Sequence, residues 1–506
     1  MMGLGSFILT LLTLLISAAP AAAQASLPGA ATLRGSASPS TTGATPGPLS
    51  FHFHSTATYA SLNQVPTPAT EAEWQFEIDH LDMAHSGADH FAGIKPRNSN
   101  FFFILYRLMF TAIQGTEEQA IVDYCAANAC NAEDAYLHYN NDTTVSENGQ
   151  TRAIPGCKGT VTSACRIQSY GGSWRWPYNW KSPTLRGYMT YRSLKDITVP
   201  RGGAVYNGMF IDEAEPPDLS GEILLALPKT TRGGQVVEFA NETRDAIIAH
   251  GELLAAQQGM LSTVSAALRA ANTAQFPGRS LIYPNTANYT SPATVQLGLS
   301  ADGALTEFMS YETETSSPSG AAYVWNNMKT FRDAKKIYIL AQGNPAAPSN
   351  LNYNAGNYRT AAARHQMYAL ASYWMGRDIN LGLSYYEQSP AIWAPMSSYW
   401  YAAQEHDIGQ PSAEYYLWQS DMSGGGDSCG QYYKVWRRDY SSGAIVLFRT
   451  RVSWNDSHDF KDYSCTTPSF ALGANYMVLY PNNRLAASTI SSVQIRLAEG
   501  LVLIPQ

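Results

Sequence analysis

The sequence predicts an α/β fold, an eight-stranded (β/α)8 TIM barrel, followed by a C-terminal antiparallel β-sandwich domain. Three observations point there. From Phe51 onward, short β-like runs alternate with helical or loop segments, the pattern of a parallel sheet with crossover helices. The runs number eight, which closes a barrel. After Asp407-Ile408-Gly409 the pattern changes to paired runs around tight turns.

In chain order, residues 1–23 read as a signal peptide: an apolar stretch from Phe7 to Ala19 leads to Ala21-Ala22-Ala23, a small-residue cleavage site, although no Lys or Arg precedes it. Residues 24–50 are rich in Ser, Thr, Pro, Gly and Ala and contain one charge; they bury too little apolar area to fold and read as a flexible linker. No later stretch approaches the roughly 18 apolar residues of a membrane span, so the exported product is expected to be soluble, extracellular or periplasmic. Sequons at Asn141, Asn241, Asn288 and Asn455 are potential glycan acceptors.

The barrel is expected over residues 51–406. Its eight runs are Phe51 to Thr56, Asp89 to Ile94, Phe101 to Tyr106, Val205 to Asp212, Ser280 to Asn285, Leu305 to Met309, Lys336 to Ala341 and Ile379 to Tyr385. Between the first two, Thr70-Glu71-Ala72-Glu73 is a capping box opening a helix that Gly87 closes. Between the fourth and fifth, a helix from about Glu242 to Asn272 carries apolar residues at helical spacing, including Ile247, Leu254, Leu261 and Leu268. A doubly wound open sheet is the alternative, but no glycine-rich phosphate turn follows the first run.

A cysteine-rich insertion at about 111–201 interrupts the repeat and is too long for an ordinary barrel loop. Insertions after barrel strands sit at the C-terminal face, so this one either walls a cleft and offers Trp174 and Trp176 to a sugar, or buries its tryptophans in a small core of its own. Six cysteines fall into three local groups, Cys125/Cys130, Cys157/Cys165 and Cys429/Cys465, and proximity suggests these pairs as disulfides of an exported protein. Residues 407–506 form the separate β domain, with Tyr432 to Tyr440 and Ala444 to Val452 as a hairpin around Ser441-Ser442-Gly443.

Net charge is -7, only 14% of residues are charged, and 12% are aromatic, 31 of them tyrosine. This composition excludes a nucleic-acid or anionic-membrane binder and suits ring stacking on neutral ligands, although most aromatics must serve the core. The polar residues closing the strands are mainly carboxylates. Asp212 ends the apolar run Val205 to Ile211, and a charge there is costly unless it faces a polar cleft. Glu307 lies between apolar neighbours that raise a carboxyl toward the pKa of a general acid. Together they have the chemistry of glycosidic cleavage: one attacks the anomeric carbon or activates water, and the other protonates the leaving oxygen. Either could instead pair with an arginine. Glu213 and Glu312 are the alternative catalytic residues; strand alternation favours Asp212 over Glu213 because Gly208 and Phe210 then share its side.

Asn285, Tyr289, Gln342 and Tyr385 are candidate hydroxyl binders, each also readable as a satisfied structural polar group. His52-Phe53-His54 resembles the paired histidines that open metal-binding barrels, but the fifth and sixth runs lack the further histidines that chemistry needs. His54 is therefore placed in the cleft or its packing, and neither metal nor cofactor is expected. Gly426-Asp427-Ser428-Cys429-Gly430 spells Gly-x-Ser-x-Gly without the strand-to-helix setting of a nucleophile elbow.

Tyr206-Asn207-Gly208-Met209-Phe210-Ile211-Asp212-Glu213 resembles the "DGIFLD" strand of hypothetical glycosyl hydrolases in the barrel superfamily of α-amylases and α-galactosidases. Glu307 is similar to their "GxMxEx" pattern, and Asp439 to Leu447 resembles the hairpin of their C-terminal β domain. The resemblance spans Phe51 to the end. It implies Asp212 as nucleophile or base, Glu307 as acid/base, and an oligo- or polysaccharide substrate. Asn207, where an aspartate is common, and the cysteine-rich insertion depart from the pattern. A non-catalytic sugar-binding barrel is the reading from another class.

Overall fold

A computed structural model describes residues 55–62, 65–86, 88–109, 111–113, 115–138, 144–147, 150–153, 156–157, 160, 162–166, 175–201, 204–212, 252–271, 281–285, 292–309, 320–342, 361–378, 383–388, 395–422, 426–450, 452 and 464–506. The leader and linker expected over 1–50 and all four sequons lie outside the described residues.

The first part of the chain forms β1 (Thr58–Ser61), α1 (Glu71–His80), β2 (Met83–Ser86), α2 (Ala88–Arg97) and β3 (Phe102–Leu108). The insertion follows, with β4 (Thr111–Ile113), α3 (Thr116–Asn128), β5 (Thr144–Glu147), β6 (Gln150–Ala153), β7 (Arg175–Pro177) and α4 (Pro183–Thr198). Next come β8 (Gly208–Asp212), α5 (Glu252–Ala270), β9 (Leu281–Pro284), α6 (Pro292–Gly298), β10 (Gly303–Met309), α7 (Gly320–Asp333), β11 (Ile337–Gln342), α8 (Ala361–Gly376), β12 (Ser384–Gln388) and the short α9 (Met396–Tyr399). The last strands are β13 (Tyr416–Asp421), β14 (Tyr433–Asp439), β15 (Ile445–Thr450), β16 (Phe470–Val478), β17 (Ile490–Val493) and β18 (Glu499–Pro505).

Eight strands form one sheet in the order β10-β11-β12-β1-β2-β3-β8-β9. This follows the chain around a parallel barrel and leaves it nearly closed, with β9 and β10 as the two ends. A separate six-stranded antiparallel sheet, β13-β14-β15-β18-β16-β17, curls around its own core of Val435, Ile445, Leu447, Ile495 and Leu503. Among the described residues no helix is long and apolar enough to cross a membrane.

Two of the expected strands are corrected. The run Asp89 to Ile94 lies inside helix α2, and the second strand is the shorter Met83–Ser86. Phe91 and Ile94, three residues apart, bury one helical face, while Asp89 in the first turn and Lys95 and Arg97 in the last complement the helix dipole. The first barrel strand is Thr58–Ser61 rather than Phe51 to Thr56, of which 51–54 lie outside the described residues. The capping box opens α1 as expected, since Glu73 N donates to Thr70 Oγ1 at 3.2 Å and Thr70 N to Glu73 Oε2 at 3.1 Å, but the helix ends at His80, seven residues before Gly87. β12 begins at Ser384, later than the run Ile379 to Tyr385, whose residues 379–382 lie outside the described residues. The helix expected from Glu242 is described over Glu252–Ala270, with Met260, Leu261, Val264 and Leu268 buried.

Over the described residues the chain divides into two compact units, one with Ile104–Ala304 and one with Pro46–Phe103 and Leu305–Gln506. In the first unit, β3, β8 and β9 pair in parallel, and the insertion carries its own core. Disulfides join Cys125 to Cys130 and Cys157 to Cys165. Arg166 is buried over the Tyr136 ring at 4.0 Å and grips Glu133 in a bidentate pair at 2.8 and 2.5 Å and Glu118 at 2.5 Å. Burial alone would raise the Glu133 carboxyl, but hydrogen bonds from Arg166 and His138 hold it down at about 2.

In the second unit the antiparallel sheet seats on α8. Gly500 lets β18 approach that helix, for a Cβ there would stand 2.6 Å from Ala371 Cβ. Arg438 Nη1 donates to the carbonyls of Trp374, Met375 and Arg377 at 3.1, 2.8 and 2.7 Å, satisfying the helix C-terminus. The Gly-x-Ser-x-Gly segment is a corner of this sheet. Asp427 pairs with buried Arg449 at 2.6 Å, Ser428 N donates to Thr466 O, and Cys429 is bonded to Cys465.

Candidate active site

In the first unit, Asp212 ends β8 in register with Leu108 on β3, and Asn285 follows the end of β9. Both Asp212 oxygens are engaged. Tyr106 Oη donates to Oδ2 at 2.6 Å, and Asn285 Nδ2 donates to Oδ1 at 2.8 Å. Residues two apart on a strand share a face, so Gly208, Phe210 and Asp212 point the same way. The register puts Tyr106 and Tyr283 on either side of Phe210, with ring centroids 5.9 and 5.5 Å apart. A row of three rings thus lies below a half-buried carboxylate at the strand ends.

The opposite face of β3 is structural. Arg107 pairs with Asp196 on α4, which also meets Arg201 at 3.1 Å and Arg192 at 3.4 Å. Gly208 is required by close approach, because a Cβ there would stand 2.0 Å from the Leu281 carbonyl oxygen. Asn285 N donates to Ile211 O at 2.7 Å, which fixes the backbone from which its carboxamide reaches Asp212.

In the second unit, a different polar cluster stands at the ends of β1, β2 and β12. Ser61 is in register with His85, and Tyr59 with Glu387. His85 Nδ1 bonds Tyr59 Oη and its Nε2 bonds Ser61 Oγ at 2.8 Å. Burial pushes the imidazole pKa down to about 3, so the ring is neutral near pH 7, with one nitrogen donating and the other accepting. Glu387 is buried and accepts the Ser61 backbone N–H at 2.7 Å. Tyr385 is buried two residues earlier on the same face of β12.

Of the residues singled out from sequence, Asp212 and Asn285 are brought together. Glu307 lies on β10 and Gln342 ends β11. Trp176 is buried within the insertion, where the Arg166 guanidinium lies 5.4 Å from its ring, so it serves that segment's own core. His54, Trp174, Glu213, Tyr289 and Glu312 lie outside the described residues. Among the described residues no three His, Cys, Asp or Glu side chains group as metal ligands.

Sequence reading missed Tyr106, Tyr59, Ser61 and His85, while the stretch from Tyr385 to Glu387 stood among its polar strand ends. Tyr106 closes an apolar run and could have been found by the same reasoning as Asp212. The other three become neighbours of one another and of Glu387 only through the register of three strands.

No protein-family model matches the chain, and no curated protein matches it. Several solved structures are similar in fold. A trehalulose synthase aligns with 89% of this chain and 99% of its own at 10% identity and a TM-score of 0.41. The cyclic α-maltosyl-(1→6)-maltose hydrolase of Arthrobacter globiformis covers 89% and 98% at 9% identity and 0.40. Ega3 of Aspergillus fumigatus, in complex with galactosamine, covers 67% and 93% at 10% identity and 0.32.

Proposed function

We propose that the chain is an exported glycoside hydrolase that cleaves an oligo- or polysaccharide, with Asp212 as nucleophile or base and Glu307 as the acid/base. The observation that carries this reading is the setting of Asp212: a half-buried carboxylate at a barrel strand end, held by Tyr106 and Asn285 above a row of aromatic rings. Two donors on one carboxylate orient it, which suits a group that must attack a carbon or take a proton from water. In the first case a bond forms between the carboxylate oxygen and the anomeric carbon while the bond to the leaving oxygen breaks. In the second, a water loses its proton to Asp212 as its oxygen attacks. In both, the leaving oxygen takes a proton from the second carboxyl. Three disulfides support export to an oxidising compartment.

The test is reducing-sugar release from a panel of polysaccharides by the native chain and by folded Asp212→Asn and Glu307→Gln variants. Cleavage by the native chain and its loss in both variants supports the reading. Full activity in Glu307→Gln moves the acid/base role to Glu312. A sugar that is bound and never cut favours a binding protein.

A further inference from the structure

Asn285, beside Asp212, uses only half of its carboxamide. It is 6% exposed, and Nδ2 donates to Asp212 Oδ1 at 2.8 Å, while its own Oδ1, shielded from bulk water, has no hydrogen-bond partner among the described residues. The orientation of the amide follows from chemistry, since an ionised carboxylate only accepts and draws the NH2 end toward itself. The backbone is fixed as well, because Asn285 N donates to Ile211 O at 2.7 Å, directly after β9.

A buried carbonyl oxygen without a donor is costly, and nearly all such atoms in native proteins are paired. An amide oxygen accepts and cannot donate, so the partner it lacks carries an O–H or N–H. The two ends of one carboxamide are fixed by its covalent geometry, which puts the Asn285 oxygen within about 5 Å of Asp212 Oδ1. A sugar in position for attack holds its anomeric carbon about 3–3.5 Å from a carboxylate oxygen. The hydroxyl on the next ring carbon is only two bonds further on, which brings it within reach of the orphan oxygen. Hydrogen bonds to that hydroxyl strengthen as the oxocarbenium-like transition state forms, so an acceptor there serves rate as well as binding. We propose that Asn285 Oδ1 accepts a hydrogen bond from the hydroxyl on the carbon adjoining the anomeric carbon, and that the site thereby selects a 2-hydroxy sugar over its 2-deoxy counterpart. The inference rests on the glycoside hydrolase reading and narrows its substrate class.

The test measures kcat/KM of the full chain and of Asn285→Ala on para-nitrophenyl glucosides and galactosides of both anomers, each beside its 2-deoxy counterpart. The 2-deoxy glycosides are the more reactive by themselves, and loss of the Asn285 donor to Asp212 slows both substrates alike. Both effects cancel when the 2-hydroxy to 2-deoxy preference of the variant is divided by that of the native chain, which isolates the one contact. The expected result is a preference about tenfold or more lower in Asn285→Ala. A preference the same in both proteins would overturn the proposal. Because Asn285→Ala can affect folding, a second measurement needs only the native chain: inhibition of its polysaccharide cleavage by the free sugar it releases and by the 2-deoxy form of that sugar. Inhibition about tenfold weaker for the 2-deoxy form supports the contact, and equal inhibition overturns it. A chain that cleaves no glycoside and no polysaccharide sinks the hydrolase reading and this inference together, whereas cleavage with an unchanged preference sinks this inference alone.

Discussion

Gly208→Ala perturbs the framework of the Asp212 site without touching a reacting group. A Cβ at 208 would stand 2.0 Å from the Leu281 carbonyl oxygen and 2.8 Å from that residue's backbone nitrogen and carbonyl carbon. None of these atoms belongs to a side chain that can rotate away, so β9 must retreat by roughly 1 Å to restore ordinary contact. The same strand leads to Asn285, whose Nδ2 lies 2.8 Å from Asp212 Oδ1, and a shift of that size breaks the bond. Overpacking costs about 1–3 kcal/mol of stability, and a displacement of about 1 Å in a positioned group costs about a hundredfold in rate. Thermal denaturation read with turnover on the best polysaccharide measures both. A Gly208→Ala protein with native melting temperature and native rate would refute the claim that the β8–β9 approach positions Asp212.

Three further outcomes follow from the geometry. Tyr106→Phe keeps the ring row but removes the 2.6 Å bond to Asp212, so turnover should fall about tenfold or more with melting unchanged; an unaltered rate would remove Tyr106 from the site. Replacing Cys429 and Cys465 together with serine opens a crosslink across 36 residues, for which chain entropy predicts a loss of about 4 kcal/mol in urea titration; a loss under about 1 kcal/mol would contradict it. Glu133 is held at about 2 against an ordinary 4.5, so the stability it contributes is present above 4.5 and is lost as pH falls from there toward 2. Hydrogen exchange across the insertion should show that acid loosening, and Glu133→Gln should flatten its pH dependence in that window; an unchanged slope would deny Glu133 the role.

The parts of the fold legible in the sequence are those where local pattern and burial coincide. β3, β8, β9, β10 and β11 carry apolar runs, and each lies within three residues of its expected bounds. The Met83–Ser86 strand was hidden because four residues with a polar end carry little pattern. The Asp89 to Ile94 run misled because Phe91 and Ile94 fit either a short strand or one helical face. All three disulfides were readable from proximity, since each closes a local loop. In the site, Asp212 announced itself as a charge closing an apolar strand. The His85 cluster did not, because its members sit on β1, β2 and β12, and the register that aligns Ser61 with His85 is set by long-range packing.

The central claim is that Asp212 performs chemistry, and Asp212→Asn tests it most directly because asparagine keeps the size of the side chain. Turnover on a polysaccharide that the native chain cleaves should fall by about a thousandfold or more, as expected when a reacting group is removed, while melting stays within a few degrees and the sugar still binds. Retention of native turnover in a folded Asp212→Asn protein would contradict the account and leave the Tyr106–Asp212–Asn285 arrangement as a structural hydrogen-bond cluster.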